Sequence, residues 1–318
     1  MQRRQVLAAF ALAGPTWQAG AQIGGAALRI FVGAPPGGST DTLAREIAPE
    51  MGRLLGRNVI IENKSGAGGN LAADAVAKAA PDGNTLLLSF TSHTINATLY
   101  PKLPFDPVAD FTPLTMVARS PSVLVAHPSL PVNNLRELIA YAKARPGQLN
   151  FAIGGIGSSL HLAGEAFKMQ AGVFIVNIPY RGTAPAIGDV VAGNVPLMFA
   201  AVGNARSLVA AGKLKLLGVT SALRLAQFPD TPAIAETLPG FESSAWFGLF
   251  GPAKMAPDLV QRISDAARAA IQGEGLRKRL EADGATAIGN APAEFARFVA
   301  ADVPRWARLV TYSGAKPE

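Results

Sequence analysis

The sequence contains no cysteine. Disulfides, thiolate nucleophiles and cysteine-ligated metals are therefore excluded, and an oxidising compartment poses no hazard. Histidine is nearly absent as well. His93, His127 and His161 are the only three, and none has a partner at metal-ligand spacing, so no metal site is expected. Their equal spacing is no repeat, because the flanking sequences differ. No Gly-Lys-Ser or Gly-Lys-Thr occurs, so there is no P-loop. No G-x-S-x-G occurs, which removes the usual serine-hydrolase elbow. Gly66-Ala67-Gly68 and Gly155-Ile156-Gly157 each begin a dinucleotide fingerprint, but Leu71 and Leu160 stand where its third glycine belongs. No cofactor is expected. Lys and Arg are scattered singly rather than run among aromatics, so nucleic acid is not expected as a partner.

The first 21 residues read as a leader. Arg3 and Arg4 form a basic start, residues 6–13 a short apolar run, and Ala19-Gly20-Ala21 a small-residue cleavage site. This is a secretory signal, too short for a permanent anchor. Arg3-Arg4 followed by Gln5-Val6-Leu7 also fits a weak twin-arginine route. Cleavage after Ala21 leaves Gln22 first and a chain of about 297 residues, enough for two domains of ordinary size. The formal charge of +7 falls to +5 without Arg3 and Arg4, compatible with an anionic ligand.

What is present is a repeated strand, glycine loop and helix start. Residues 28–32 are an apolar strand, and residues 42–55 an amphipathic helix. Pro35, Pro36, Gly37, Gly38, Ser39, Thr40 and Asp41 lie between them. A helix start leaves unpaired N–H groups and partial positive charge, and two glycines let an anion approach them. A capped turn without ligand has the same local signature. Strands follow at 58–62 and 85–90, the second running into a polar loop that includes Thr91, Ser92 and His93. Residues 64–70 form a further glycine turn, structural or anion-binding. Alternating strands and helices predict an α/β fold with mainly parallel sheets flanked by helices.

Residues 101–113 carry four prolines and read as a long connection with buried Phe105 and Phe111. Two extended runs, 114–118 and 123–126, flank Arg119-Ser120-Pro121-Ser122, where the chain is expected to cross into a second domain. The opening motif then recurs. A strand at 149–153 runs into Gly154, Gly155, Gly157, Ser158 and Ser159, before a helix at 160–170 that carries His161 in its first turn. Two such loops, one in each half, suit an anion held from two sides at the C-terminal ends of strands. His93 and His127 read as ordinary loop residues. Arg181, in Tyr180-Arg181-Gly182, is the best-placed cation. Trp246 and Phe247, on a returning strand at 245–251, floor the cleft or enter the core. Pro304 is expected to kink or split a C-terminal helix over 292–312.

The order of these motifs resembles the periplasmic solute-binding proteins of tripartite tricarboxylate transporters, the Bug family. The stretches that carry the resemblance are PPGGSTDTLAR at 35–45, IENKSGAGGNLAADAVAKAAPDGNTLLL at 61–88, INATLYPKLPFDPVADFTPL at 95–114, LVAHPSLPVNNLRELIAYAKARPGQLNFA at 124–152, GSSLHLAGEAFK at 157–168, IPYRGTAPAIGDVVAGNV at 178–195 and AWFGLFGPA at 245–253. They cover nearly the whole chain after the leader.

The resemblance implies a two-lobed type II periplasmic binding protein, with lobe 1 from 22–120 and 250–318 and lobe 2 from 121–249. It implies a monomer that captures a small organic carboxylate in the periplasm and delivers it to a membrane transporter with one large and one small subunit. No catalysis is implied. One carboxylate is expected between Gly37–Asp41 and Gly157–Ser159, with Thr91-Ser92-His93 and Tyr180-Arg181-Gly182 on either side. One loop pair serves one ligand end, so a second or third carboxylate is compatible. The chain departs from the family at three places. Ala34 replaces the usual aromatic before the Pro-Pro-Gly-Gly, Pro196 and Ala200 replace two acids, and Arg181 replaces a lysine. These changes point to a wider, less acidic cleft and a ligand without an amino group. An anion-handling enzyme in the same cleft, or a sensor for a signalling partner, are the alternatives.

Overall fold

The computed structural model describes residues 26–317; the leader and its cleavage site lie outside the described residues. The chain begins with β1 (Leu28–Val32), α1 (Ser39–Leu55), β2 (Val59–Asn63), α2 (Asn70–Ala77), β3 (Thr85–Phe90) and α3 (Ser92–Leu99). The long strand β4 (Phe111–Ala126) follows, then α4 (Leu135–Ala144), β5 (Asn150–Ile153), α5 (Ser159–Ala171), β6 (Val176–Pro179) and α6 (Thr183–Val191). The rest is β7 (Leu197–Ala201), α7 (Val202–Ala210), β8 (Lys215–Val219), β9 (Ser244–Pro252), α8 (Pro257–Ile271), α9 (Glu274–Ala282), β10 (Thr286–Ala287) and α10 (Pro292–Ser313).

The strands form one ladder in the order β2-β1-β3-β9-β4-β7-β5-β6, with β8 and β10 also on β4. The outer pairs β1–β2, β1–β3, β5–β6 and β5–β7 are parallel, as expected of strand–helix–strand units. The central pairs, β3–β9, β4–β9, β4–β7 and β4–β8, are antiparallel, so each half is mixed. The reason is that β4 and β9 are the segments by which the chain changes halves. Each must run back against the strands it meets.

Helices cover both faces, so strand side chains alternate between two cores. On β1, Leu28, Ile30 and Val32 join Leu43, Ile47, Ile263 and Leu280 of α1, α8 and α9. Phe31 points the other way, toward Ala73 of α2, Trp246 of β9 and Phe295 of α10. In the other half, Leu124, Phe151 and Phe199 pack on α4 and α5, while Val125, Met198 and Val219 pack on α6 and α7.

Four expectations are corrected. Residues 114–126 are one strand, not two runs, because Arg119 to Pro121 stay paired to Trp246, Ala245 and Ser244 of β9. The polar loop at 91–96 is helix α3, whose polar side chains find buried partners; Asn96 Nδ2 donates to Asn70 Oδ1 at 2.8 Å. His93 is consequently no loop residue. Its ring is buried against Phe105, Phe111 and Phe250, and Nε2 donates to the Pro107 carbonyl at 2.9 Å. Burial pushes its pKa down to about 4, which keeps it neutral. Lastly, Pro304 does not split α10, which runs unbroken through it.

Asp302, two residues before that proline, ties α10 to its neighbours. Its buried Oδ2 accepts from Trp306 Nε1 at 2.8 Å, Trp246 Nε1 at 2.8 Å and Thr94 Oγ1 at 2.7 Å, tying α10, β9 and α3 together. The first half of α10 packs with Phe295 and Val299 in one core, and the second half with Trp306, Leu309 and Val310 in another. Replacing Asp302 by Ala strands the two buried indole N–H groups, each costing of order 1–3 kcal/mol, while the Thr94 hydroxyl keeps the Thr91 carbonyl as an acceptor at 3.0 Å. Asp302→Ala is expected to lower unfolding stability by roughly 3 kcal/mol or more, measured as a fall in the urea midpoint with the slope unchanged.

Candidate functional site

The junction of the two halves holds a cavity of about 170 Å³. Its walls come from both sides of β4. Ser39 is the first residue of α1, Ser159 and Leu160 are the first two of α5, and Ala201 is the N-cap of α7. Ser120, Pro121 and Ser122 of β4 form its floor with Ser243 and with Ala245 and Phe247 of β9. Three helix starts therefore converge on one space. Each contributes unpaired amides and partial positive charge.

The caps differ in a way that matters. Gly38 caps α1 with no side-chain hydrogen bond, leaving the first amides of the helix uncovered. Gly37 adopts φ +81°, a left-handed turn that a side chain disfavours. The turn is held from behind by Asp41. Its Oδ2 accepts from Gly37 N at 2.9 Å and its Oδ1 from Asn63 Nδ2 at 2.9 Å, while Arg45 Nε binds both oxygens at 3.0 Å. Asn63 Nδ2 also donates to the Ala34 carbonyl at 3.0 Å, fixing the entry to the loop. Arg45 does most to hold the Asp41 carboxyl down at about 2; burial opposes it, and Gly37 and Asn63 assist.

On α5 the Ser158 Oγ accepts from His161 N at 3.2 Å, and His161 Nδ1 accepts from Gly157 N at 3.0 Å. Nδ1 is thus unprotonated and the proton sits on Nε2, which has Asn177 Nδ2 at 3.0 Å and Glu165 Oε1 at 3.4 Å. Glu165 also meets Lys168 Nζ at 2.5 Å and Asn177 Nδ2 at 2.7 Å. Burial pushes the Glu165 carboxyl up, but hydrogen bonds from His161, Asn177 and Lys168 overcome this and hold it at about 2. The His161 ring satisfies the amide of Gly157, and the Ser158 hydroxyl that of His161. The amides of Ser159 and Leu160 remain at the cavity.

Of the residues singled out from the sequence, Ser39 and Ser159 line this cavity together. Ser92, Gly157 and Ser158 line a neighbouring groove of about 360 Å³ with Gly68, Asn96 and Leu99. Pro36 and Gly37 are exposed and Gly38 half-buried on the first loop, with Ala34 half-buried before it. Thr40 and Asp41 are buried behind that loop, as His161 is behind the second. Thr91 is buried too, its Oγ1 accepting from Trp246 N at 2.8 Å. Ala200 faces the core beside Val123 and Met198. Gly154 lies against the backbone of Gly182 and Thr183, where a Cβ would meet Thr183 at 2.9 Å. Arg181 is exposed on that loop and lines neither space. Phe247 is at the cavity and Trp246 in the core.

Sequence reasoning reached Phe247 of the floor but missed its serines. Ser120, Ser122 and Ser243 sit where the chain crosses between halves. The visible signal was two serine-rich stretches, Arg119-Ser120-Pro121-Ser122 and Ser243-Ser244, one at each crossing.

Similarity to known proteins follows the same geometry. A family model described as the tripartite tricarboxylate transporter family receptor matches residues 43–314. Protein BugT of Bordetella pertussis is 38% identical over 296 residues, covering 91% of this chain and 90% of its own. Among solved structures, Rpa4515 of R. palustris with adipate superposes with a TM-score of 0.77 at 34% identity, covering 92% of this chain and 98% of its own. MatC from Rhodopseudomonas palustris with bound malate gives 0.74 at 35%, covering 89% and 98%.

The depressed Asp41 pKa gives a test of the first loop. A carboxyl whose folded pKa lies below its ordinary 3.8 contributes stability that is present above about pH 4 and lost as pH falls toward about 2. The urea midpoint of the wild type should fall through that window. Asp41→Asn should start lower at neutral pH and show a shallower fall there.

Proposed function

From the premise that the chain belongs to the tripartite tricarboxylate transporter receptor family, we propose that it captures a small organic carboxylate in the cavity between its halves. It then hands the ligand to a membrane transporter with one large and one small subunit. On this reading the chain is exported to the periplasm after loss of residues 1–21 and acts as a monomer. The lobes are 22–120 with 250–318, and 121–249. It is a binding protein and not an enzyme.

The observation that carries the reading is the convergence of the uncapped start of α1 and the start of α5 on one cavity, from opposite halves. A carboxylate there receives amide hydrogen bonds from both sides. Bonds to a charged group contribute about 1.5–3 kcal/mol each, and a favourable, partly buried helix terminus adds up to about 2 kcal/mol. The serines of the floor extend the donor set. Among the described residues that line the cavity there is no histidine, acid or lysine to activate a serine, which supports binding over catalysis. The same lining offers no acid to a ligand ammonium, whose burial would go uncompensated. This supports a ligand without an amino group.

A thermal-shift screen of carboxylates against the chain from Gln22 onward tests the reading, since a ligand stabilises the state it binds. Non-amino carboxylates should raise the melting temperature, and aspartate or glutamate should do so at least tenfold less effectively by concentration. Gly38→Val should abolish the shift while the protein stays folded, because a branched side chain then covers the first amides of α1. Unaltered affinity in that variant, or conversion of the ligand into a released product, would sink the proposal.

A further inference from the structure

The ligand cavity has a side chamber. A second space of about 90 Å³ shares Ser39, Ser120 and Phe247 with it and extends away along α1 under α9. Its further walls are Leu43, Leu276, Leu280 and Ala285, with Arg279 and Asp283 at the edge. The aliphatic walls belong to the core that α1, α8 and α9 share, while the side formed by Arg279 and Asp283 opens to solvent.

We propose that this chamber takes the uncharged hydrocarbon end of the ligand. The inference rests on the carboxylate reading above and narrows it. The ligand carries one carboxylate at the helix starts and a short alkyl or aryl tail past Phe247. Size sets the tail. The chamber has about half the volume of the main cavity, about 90 against about 170 Å³, so it admits only a short tail.

Charge sets its polarity. The one cation at the chamber, Arg279, is already paired with Glu46 of α1. The carboxylate of Asp283 stands beside it, within reach of the backbone at Gly203 near the start of α7. A second carboxylate entering the chamber would meet leucine side chains and a like charge, with the hydroxyl of Thr42, which also lines it, as the one neutral donor beyond the shared serines, so it would be desolvated without a cationic partner. A methyl or ring edge there is buried among leucines at no such cost. The sequence alone is compatible with a second carboxylate; the chamber selects against one.

Isothermal titration of the chain from Gln22 with acetate, propionate, butyrate, pentanoate and hexanoate tests this without any mutation. Each added methylene that enters the chamber should tighten Kd about fourfold. Hexanoate should bind more tightly than adipate, which has the same carbon backbone with a second carboxylate at its far end. Ala285→Leu, which fills the chamber, should collapse the hexanoate-to-acetate ratio. A flat series, or adipate tighter than hexanoate, overturns the chamber proposal while the carboxylate reading stands. Failure of every carboxylate to bind overturns both.

Discussion

One strand carries the constraint on which the rest depends. β4 bonds to β9 through residues 111–121 and to β7 and β8 through residues 122–126. Its backbone polar groups are satisfied by one half up to Pro121 and by the other from Ser122 onward. The chain cannot change halves anywhere else in this segment without leaving buried amides unpaired. Ser122 is fastened twice more, its amide donating to Thr220 Oγ1 at 2.7 Å and its carbonyl accepting from Thr220 N at 2.9 Å. The ladder therefore fixes where the floor of the cavity lies. The helix starts above it follow from strand ends set by the same ladder.

Behind each jaw the protein buries charge, and keeps it out of the cavity. Asp41 is spent on Gly37, Asn63 and Arg45. Glu165 is spent on Asn177, Lys168 and His161. Each acid shapes a glycine turn from the rear, directly through the Gly37 amide or, at Gly157, through an imidazole. An anion in front meets amides and hydroxyls and not these carboxylates. The two jaws are unequal, however. The first has a glycine cap and offers bare amides, while the second satisfies its own loop and offers only the opening residues of the helix.

Much of this was legible in the sequence because local periodicity and local chemistry agree. β1 and β3 have the expected residues, since their apolar spacing and flanking turns leave one choice. The two glycine loops were legible for the same reason. What was not legible depends on partners distant in sequence. Thr91-Ser92-His93-Thr94 reads as loop until Asp302, Trp246 and Pro107 supply its bonds. For Asp41 and His161 a ligand contact and a local structural role stay open in the sequence, because nothing local reveals Asn63 or Asn177 behind them. The run Arg119–Ser122 looks like a break, because only β9 makes it a strand. Helix α9 was missed altogether. Its polar face hid the two leucines, Leu276 and Leu280, that give the cavity its side chamber.

The shared acceptor at Asp302 has an optical side. Trp246 and Trp306 are the two tryptophans among the described residues, and both indoles donate to the same carboxylate oxygen. One rides on β9, which brings the chain back to the first half and pairs there with β3 and β4, and the other on α10, which spans two cores. Indole emission responds to the charge and hydrogen bonding around the ring nitrogen. Any relative movement of β9 and α10 must change the surroundings of both fluorophores together. The protein thus carries its own reporter of the joint between its halves, one that needs no dye and no added residue.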